Sequence, residues 1–291
     1  MNELNLTELQ FSEKDVKNFV NSSLDVEEGS ILFIDNHDNN KLDKYVDESL
    51  KKKAKLVITS LNCSLSDDRV IKAKNYNEIL HESYSYICDD YESKKYFGIT
   101  GTDGKTTTGS YLKELLGPES LFIGTNEDVL FSEITNEKHL TSPKLFNILK
   151  LLGRSDFKKY KNIILEASSH ALDQDRFNGI KFNTSGFTNL SQDHLDYHTN
   201  IENYFNSKLK LFSSQLSNKY VYIDNKWGNK ISENTSIPSF KISSDIQGDL
   251  QILDKKTYPK TILKIKIDEK IYDFELDIVG PNFYQNFLLA F

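Results

Sequence analysis

The sequence predicts an α/β protein in which a small N-terminal α/β domain is followed by a central domain with a mostly parallel sheet flanked by helices. Three observations predict this fold class. The chain has 291 residues, enough for about two domains. Short apolar runs suited to buried strands alternate with segments of helical periodicity. A glycine-rich loop joins one of these strands directly to one of these helices.

Composition excludes several classes of protein. Lys and Arg number 36 and Asp and Glu number 43, a formal net charge of −7, which argues against a nucleic-acid binder with a basic face. No apolar run reaches the ~20 residues that a membrane-spanning helix needs, and Met1–Gln10 is too polar for a signal peptide. Cys63 and Cys88 are too few for a disulfide scaffold. We expect a cytoplasmic monomer that binds no nucleic acid and does not insert into membranes.

The first domain is predicted over residues 1–95. Ile31–Ile34 and Leu56–Thr59 are apolar runs typical of buried strands, and Lys41–Lys55 between them has helical spacing. A strand, a helix and a strand in that order indicate a parallel pair joined by a crossover. A second helix is predicted over Asn77–Cys88.

The polar stretch Asp89–Lys95 is the candidate linker to a second domain, residues 96–291. The candidate strands there are Tyr96–Thr100, Asn162–Leu165, Gly186–Leu190 and Tyr220–Ile223. The candidate helices are Lys105–Leu116, Ile201–Phe212 and the apolar segment Phe283–Phe291. Leu263–Ile278 alternates apolar and polar residues, which predicts a hairpin. Repeated strand and helix are typical of a parallel sheet covered by helices.

The first candidate site is the phosphate loop, Gly101–Thr106, which follows a strand and opens a helix. Glycines let backbone N–H groups approach phosphate oxygens, and a helix N-terminus favours anions. In such a loop Lys105 reaches the β- and γ-phosphates and the Thr106 hydroxyl holds Mg²⁺. The strict P-loop spacing is not met, because Ile99 stands where its first glycine is expected. An ordinary glycine-containing turn is the alternative interpretation.

Two further polar clusters follow predicted strands. Glu166 comes directly after Asn162–Leu165, at the sheet edge where ligands bind in open parallel sheets, and its carboxylate suits Mg²⁺. A solvated acid at a strand tip is the alternative. Asp193–His198 contains two histidines four residues apart, a spacing compatible with zinc, but the Glu of the zinc-protease pattern is missing. Contact with a metal or a phosphate, or a plain surface loop, are the remaining interpretations.

Lys208 falls within the apolar stripe of its helix, formed by Ile201, Tyr204, Phe205 and Phe212. Burying an ammonium there is costly unless the side chain is paired or reaches solvent. A lysine held in such a place has a depressed pKa and can react, for example with CO₂ to give a carbamate that ligates a metal. A side chain that extends to solvent is the alternative.

Taken together, four segments resemble the Mur ligase family, and its MurE branch in particular, over about 120 residues that agree in order and spacing. The matching segments are Gly98–Thr108, Glu166–Leu172, Phe187–His198 and Tyr204–Phe212. The resemblance implies an ATP-dependent ligase of peptidoglycan precursor synthesis. Members of the MurE branch add an amino acid to UDP-MurNAc-L-Ala-D-Glu through an acyl phosphate, with ATP and Mg²⁺.

The resemblance also implies roles for individual residues. The nucleotide-binding residues it implies are Gly101, Thr102, Asp103, Gly104, Lys105, Thr106, Thr107 and Asn286. The metal ligands it implies are Thr106 and Glu166 for one Mg²⁺, and His194 and a carbamylated Lys208 for a second. The substrate-binding residues it implies are Ser22, Thr141, Ser142, Ser168, Ser169, His170 and Arg176. The catalytic set is Lys105, Glu166, His194 and Lys208.

The sequence departs from the family pattern at three places. Asp103 replaces the usual asparagine, Asn21–Ser23 lacks the arginine of the uridine motif, and Gly280–Phe283 inverts the usual Phe-Asn order, so no role is assigned to Asn282. The family's C-terminal domain and the last part of its central domain have no counterpart before Phe291. We therefore expect a fragment that forms no peptide bond by itself.

Two other functions remain as alternatives. One is a sister ligase, either another Mur member or a folylpolyglutamate-type enzyme, against which the segments Ser168–Leu172 and Asp193–His198 argue. The other is a non-catalytic nucleotide-binding protein, suggested by the missing arginine and the missing domain.

Overall fold

The computed structural model describes residues 11, 15–16, 18–36, 38–125, 141–280 and 282–291. The segment Met1–Gln10 and Pro281, both used in the sequence predictions, lie outside the described residues. The chain divides into two compact units. One runs to Tyr91 and includes Leu149–Ser155, and the other comprises Glu92–Ile148 and Asp156–Phe291.

The N-terminal unit contains a four-stranded parallel sheet in its described part. Its strands, in spatial order, are β1 (Phe19–Val20), β2 (Ile31–Ile34), β3 (Leu56–Ser60) and β4 (Val70–Ala73). Its helices are α1 (Asn39–Lys51) and α2 (Tyr76–Ile87), and a 3₁₀ turn covers Ser23–Asp25. The predicted crossover is confirmed, because β2 and β3 pair in parallel and α1 connects them.

Helix α1 shows why these residues form this unit. Leu42 and Val46 lie on its apolar face, are fully buried and belong to the core that the strands of this sheet line. The predicted bounds, Lys41–Lys55, are wrong at both ends. The Asp38 carboxylate accepts hydrogen bonds from the first backbone N–H groups, so the helix begins at Asn39. Lys53 has a φ of 64°, a left-handed conformation that cannot continue the helix past Lys51.

The larger unit contains a nine-stranded sheet among its described residues. Its strands in chain order are β5 (Lys95–Thr100), β6 (Ser120–Ile123), β7 (Asn162–Glu166), β8 (Thr184–Phe187), β9 (Tyr220–Ile223), β10 (Ser239–Ser243), β11 (Leu250–Lys256), β12 (Thr261–Ile267) and β13 (Lys270–Leu276). The spatial order is β6-β7-β5-β8-β9-β10-β11-β12-β13. All neighbours from β6 to β11 are parallel, and the last three strands are antiparallel. The predicted fold class and the hairpin are confirmed.

The helices that follow Lys95 along the chain connect or cover these strands. They are α3 (Lys105–Leu116), α4 (Leu145–Leu152), α5 (Ser169–Asp173), α6 (Leu195–His198), α7 (Ile201–Leu209), α8 (Lys226–Glu233) and α9 (Phe283–Ala290). Helix α9 packs against α3 and brings Phe287 to within 6.1 Å of Tyr111, measured between ring centroids. No helix within the described ranges is long and apolar enough to cross a bilayer.

Two predicted elements in this unit have wrong bounds for physical reasons. The strand predicted over Gly186–Leu190 ends at Phe187, because Thr188 and Asn189 turn their side chains to the phosphate loop. The helix predicted over Ile201–Phe212 is α-helical only to Leu209, and its last residues tighten into a 3₁₀ turn.

Candidate functional site

The phosphate loop lies between β5 and α3 and has a conformation that requires glycine at two positions. Gly101 has a φ of 153° and Gly104 a φ of 82°. A Cβ atom at Gly101 would overlap the Thr188 hydroxyl, and one at Gly104 would overlap the Asn286 side chain. The interpretation as an ordinary turn does not account for this close approach. Asn286, which is buried on α9, therefore lies beside the loop.

The residues after β8 hold the phosphate loop in place. The Thr188 hydroxyl donates to the Asp103 carbonyl at 2.6 Å, and the Asp103 N–H donates to Asn189 Oδ1 at 3.0 Å. The Thr102 N–H donates to the Asn189 carbonyl at 3.0 Å. The carboxyl ends of β5 and β8 are adjacent, since these strands pair in parallel. The loop is thus fixed from the sheet edge, and the Asp103 carboxylate remains exposed.

Lys105 and Lys208 donate to the same carbonyl oxygen in this loop. Lys208 Nζ lies 2.8 Å and Lys105 Nζ 3.1 Å from the Gly101 oxygen, and Lys105 Nζ also lies 2.8 Å from the Thr102 oxygen. Lys208 is 1% exposed, so the interpretation that it extends to solvent is wrong. Within the described residues, neither ammonium group has a carboxylate oxygen at ion-pair distance.

Burial lowers the pKa of both lysines. For Lys208 the shift is large, since the positive charge of Lys105 adds to the cost of burial. For Lys105 the negative charges of Glu166 and Asp103 oppose the effect of burial. Asp193 and Asp103 act on both lysines, and Glu166 acts on Lys105, but none of these carboxylates forms a direct ion pair with either amine. An ammonium group that has no direct ion pair is available to a phosphate or another anion at this edge of the sheet.

Glu166 is the last residue of β7 and is 1% exposed, so the interpretation as a solvated acid is wrong. Its Oε1 accepts from the Thr106 hydroxyl at 2.6 Å and from the Thr125 N–H at 3.1 Å. Its Oε2 accepts from the Thr125 hydroxyl at 3.1 Å. Thr106 and Glu166 therefore place a hydroxyl oxygen and a carboxylate side by side at the start of α3. This is the kind of oxygen set that suits Mg²⁺.

The two histidines of the Asp193–His198 segment have different environments. His194 is half-exposed, has a φ of 52° and precedes α6. His198 is buried, with Nε2 at 2.9 Å from the Ser169 hydroxyl and Nδ1 at 3.3 Å from the Ser207 hydroxyl. Both nitrogens of His198 are thus engaged, and no group of three or more His, Cys, Asp or Glu residues suited to a metal occurs in the described part of the chain. The zinc interpretation is not supported.

Hydroxyl groups connect the end of β7 with the segment before α4. The Ser142 hydroxyl donates to the Glu166 carbonyl at 2.6 Å and lies 3.0 Å from the Ser168 hydroxyl. Arg176 Nη1 donates to the Ser142 carbonyl at 2.8 Å. Thr141 Oγ1 lies 3.4 Å from the Thr125 hydroxyl, beside Glu166. These substrate-site candidates are therefore linked to Glu166, Ser142 directly through the Glu166 backbone carbonyl and the others through Ser142 or Thr125.

His170 extends this cluster toward the histidine segment. Its ring centroid is 5.0 Å from that of His194 and 4.2 Å from that of Tyr197. Burial lowers the pKa of His170, and the nearby His194 and Arg176 lower it further. The imidazole is therefore neutral at physiological pH.

The structure brings most of the predicted site residues to one edge of the larger sheet. The loop residues, Glu166 and Lys208 are linked by the contacts above, and Thr107 lies in the first turn of α3. His194 reaches this group through Tyr204, with 6.0 Å between their ring centroids. Ser22 belongs to the N-terminal unit, where its hydroxyl caps the 3₁₀ turn at Ser23–Asp25.

Sequence reasoning missed four residues that shape this site: Thr125, Thr188, Asn189 and Tyr204. Thr188 and Asn189 follow a strand at the same edge as the phosphate loop, which is a signal that a sequence carries. Thr125 follows the short strand β6, and no strand was predicted there. Tyr204 has the sequence signature of an ordinary core residue.

Comparison with known proteins places the chain in a family. The Mur ligase middle domain matches residues 99–291. A UDP-N-acetylmuramoyl-L-alanyl-D-glutamate–2,6-diaminopimelate ligase of Clostridium tetani is 32% identical over 249 residues, which are 81% of this chain and 51% of that protein. The enzyme of the same name from Aquifex aeolicus is 31% identical over 283 residues, 94% of this chain and 57% of that protein. The chain thus spans little more than half the length of these relatives.

Solved structures show the same fold. A structure of a UDP-N-acetylmuramoyl-L-alanyl-D-glutamate–2,6-diaminopimelate ligase superposes with a TM-score of 0.75 at 22% identity, covering 94% of this chain and 58% of that one. A MurF ligase from Thermotoga maritima, in complex with ADP, gives 0.57 at 17% identity, covering 95% and 62%. The middle-domain match, the named relatives and the shared fold show that this chain belongs to the Mur ligase family, with relatives of the MurE type.

Proposed function

We propose that this chain is the nucleotide-binding part of an ATP-dependent ligase that adds an amino acid to UDP-MurNAc-L-Ala-D-Glu. The observation that carries the proposal is the meeting of Lys105 and Lys208 at the Gly101 carbonyl, beside the hydrogen-bonded pair of Thr106 and the buried Glu166. The Lys105 ammonium and a metal-binding oxygen pair then lie together where a phosphoryl group would be transferred. The names of the relatives support the choice of substrate.

The phosphate loop would bind the triphosphate of ATP through its backbone N–H groups and Lys105. Gly101 and Gly104 leave room for the approach of phosphate oxygens, and α3 directs its N-terminus at them. Asn286, which lies beside Gly104, would contact the adenine side of the nucleotide. The MurF structure with ADP and a folylpolyglutamate-type structure with an ATP analogue, at a TM-score of 0.53, support nucleotide binding by this fold.

Thr106 and Glu166 would hold one Mg²⁺, and His194 and Lys208 would complete a second site. Mg²⁺ would supply positive charge to the phosphate oxygens. Lys208 can ligate a metal only after its amine reacts with CO₂, forming an N–C bond and releasing a proton to leave a carbamate. The neutral amine that this reaction needs is favoured, because burial lowers the Lys208 pKa.

The hydroxyl cluster and its arginine would bind the muramoyl peptide. Ser142, Ser168 and Thr141 offer hydroxyl groups next to the Glu166 carbonyl or side chain. Ser169, His170 and Arg176 would add a hydroxyl, a neutral imidazole and a positive charge for the peptide carboxylates. The substrate carboxylate would attack the γ-phosphate, the bond to the β,γ-bridging oxygen would break, and ADP would depart to give an acyl phosphate; the amine of the second substrate would then displace phosphate and form the amide bond. Ser22 of the N-terminal unit would contact the uridine side.

Calorimetry with a non-hydrolysable ATP analogue and Mg²⁺ tests the nucleotide step in this chain. We expect saturable binding that weakens by at least about tenfold in Lys105→Ala, because the triphosphate loses a charge-assisted hydrogen bond. Lys266→Ala is the matched control. Lys266 lies on the hairpin of β12 and β13, here called the distal hairpin, and this variant should bind as the wild type does. Equal affinity of Lys105→Ala and wild type would contradict the proposal.

The ligase step is tested by substrate choice and in cells. We expect the chain to bind UDP-MurNAc-L-Ala-D-Glu and not folate; the reverse preference would indicate the sister enzyme instead. Lys105→Ala in the longest natural gene product should stop synthesis of the cell-wall precursor. Unchanged synthesis would leave a non-catalytic nucleotide-binding protein as the better description.

A further inference from the structure

The position of Tyr204 in an apolar stripe predicts an ordinary core residue. In the structure, Tyr204 also contacts several residues of the proposed nucleotide site. It lies on α7, one turn before Lys208, and is 1% exposed. A tyrosine buried this deeply needs a hydrogen-bond partner for its hydroxyl. Its contacts lead to the phosphate loop, to Lys208 and to the histidine segment.

The hydroxyl of Tyr204 contacts the phosphate loop. It lies 3.3 Å from Thr102 Oγ1. Thr102 Oγ1 also accepts from the Ser191 N–H at 3.0 Å, so the threonine side chain sits between α7 and the segment after β8. The Tyr204 hydroxyl therefore ties the loop to a helix that is remote in sequence.

The ring of Tyr204 supports Lys208. Lys208 Nζ lies 4.4 Å from the ring centre while it donates to the Gly101 carbonyl at 2.8 Å. A cation over an aromatic face is attracted by the ring, more strongly where water is excluded. The carbonyl and the ring are the groups in direct contact with this buried amine; Asp193 and Asp103 attract it from farther away, and Lys105 repels it. The ring thus limits where the amine can lie.

The same ring borders the histidine segment. The His198 centroid is 5.1 Å from it with the planes tilted by 36°, and the His194 centroid is 6.0 Å away with the planes at 75°. We propose that Tyr204 is a positioning residue that holds the Lys208 amine against the phosphate loop, with its ring under the amine and its hydroxyl on Thr102. The proposal deepens the proposed function and rests on it for the role of Lys208.

A purely structural role would make Tyr204 equivalent to another buried tyrosine of the same unit. Tyr220 on β9 is such a residue, since it is 1% exposed and packs against Phe212 and Tyr222. Tyr220→Leu is therefore the matched control for Tyr204→Leu. Tyr204→Phe keeps the ring under Lys208 and removes only the hydroxyl, so it separates the two contacts.

The first readout is the reaction of Lys208 with acetic anhydride, measured by mass spectrometry against Lys266 in the same sample. We expect Tyr204→Leu to raise Lys208 acetylation at least about fivefold and Tyr204→Phe to leave it at the wild-type level, because only Tyr204→Leu removes the aromatic ring next to the amine. Tyr220→Leu should stay within about twofold of wild type, since its packing neighbours do not include Lys208.

The second readout is the affinity for a non-hydrolysable ATP analogue and for AMP, with Mg²⁺ present. Tyr204→Leu should lose at least about tenfold in affinity for the analogue and much less for AMP, because Lys208 lies at the loop that binds phosphates. Tyr204→Phe should lose about threefold, through the Thr102 contact. Equal effects of Tyr204→Leu and Tyr220→Leu on both readouts would overturn the proposal. If the wild-type chain binds no nucleotide, the proposed function fails, whereas the acetylation of Lys208 still decides whether Tyr204 positions it.

Discussion

Two lysines of the larger unit, the buried Lys208 on α7 and the partly buried Lys241 on β10, show how its regions differ. Lys241 Nζ lies 3.0 Å from the Asp224 carboxylate, and this carboxylate raises the pKa of Lys241. Lys208 has a carbonyl and a ring in place of a carboxylate, and burial lowers its pKa. Lys241 has a direct ion pair, whereas Lys208 has none. Burying an ionisable group without a direct ion pair costs stability, and such costs are typical of binding sites.

The Asp224 network consists of the ion pair of Asp224 with Lys241 and two further hydrogen bonds to the Asp224 carboxylate. Asp224 Oδ2 accepts from the Ser243 hydroxyl at 2.6 Å and Oδ1 accepts from Asn229 Nδ2 at 2.8 Å. These hydrogen bonds, together with Lys241, hold the pKa of Asp224 below its ordinary value. The network joins the ends of β9 and β10 to α8 and has no excess of charge. We therefore expect substitutions here to change stability and those at the loop to change binding.

We expect the largest effect from Gly101→Ala. This substitution tests whether nucleotide binding depends on the backbone conformation of the phosphate loop. The new Cβ would meet the Thr188 hydroxyl at a left-handed φ, so the loop must shift. We expect at least about a hundredfold loss of affinity for an ATP analogue, measured by calorimetry. Gly186→Ala on the neighbouring strand β8 has open space around its Cβ and should bind normally. Normal binding by Gly101→Ala would show that the loop shape is not required.

Exchange of each lysine for methionine tests the comparison itself. Lys208→Met should raise the free energy of unfolding by roughly 1–3 kcal/mol, because it removes a buried polar group without a matching charge. Lys241→Met should lower it, since Asp224 then loses a partner. Urea unfolding at neutral pH measures both. A Lys208→Met chain less stable than wild type would contradict the expectation that Lys208, unlike Lys241, lowers the free energy of unfolding.

The pH dependence of stability distinguishes the two regions, because Lys208 and Asp224 affect the free energy of unfolding in different pH ranges. Between its lowered folded pKa and the ordinary value of 10.5, Lys208 binds fewer protons in the folded chain than in the unfolded one. Stability should therefore rise with pH through that window, and Lys208→Met should flatten the rise. Asp224 contributes stability above its ordinary pKa of 3.8 and loses it as the pH falls through its lower folded value. Urea midpoints across the pH range measure both slopes. A rise that persists in Lys208→Met would assign it to another group.

The smallest effect is expected on the distal hairpin, where charges are exposed as well as matched. Lys260 lies 3.0 Å from both Glu275 and Asp277, and all three side chains are at least half exposed. Exposed ion pairs add little to stability. Lys260→Ala should leave the urea midpoint and the nucleotide affinity unchanged. A clear loss of either would mean that the hairpin contributes more than its surface contacts indicate.

Local patterns of the sequence predict much of the fold and of the site. Helix α3 has the predicted bounds, Lys105–Leu116, because glycines at 104 and 117 flank a periodic segment, and β9 has the predicted bounds for a short apolar run. Sequence motifs identify the phosphate loop and Glu166 as site candidates, and the position of Lys208 in an apolar helix stripe identifies Lys208. The structure places all three together. The roles given to these residues stay predictions.

The sequence does not show which residues far apart along the chain form hydrogen bonds with each other. Nothing local to Glu166 shows that Thr106 and Thr125 donate to it, since 60 and 41 residues separate them along the chain. The strands β4 and β6 were not predicted from the sequence. The contact of Tyr204 with Thr102, 102 residues away, depends on the packing of α7 at the sheet edge.

The proposed function requires one edge of the larger sheet to bind a magnesium–nucleotide through Lys105, Thr106 and Glu166. A crystal structure of the chain with a non-hydrolysable ATP analogue and Mg²⁺ would show whether it does. We expect phosphate oxygens at hydrogen-bond distance from Lys105 Nζ and a metal ion bound by Thr106 and Glu166 oxygens. A nucleotide bound elsewhere on the chain, with Lys105 and Lys208 still on the Gly101 carbonyl, would contradict it.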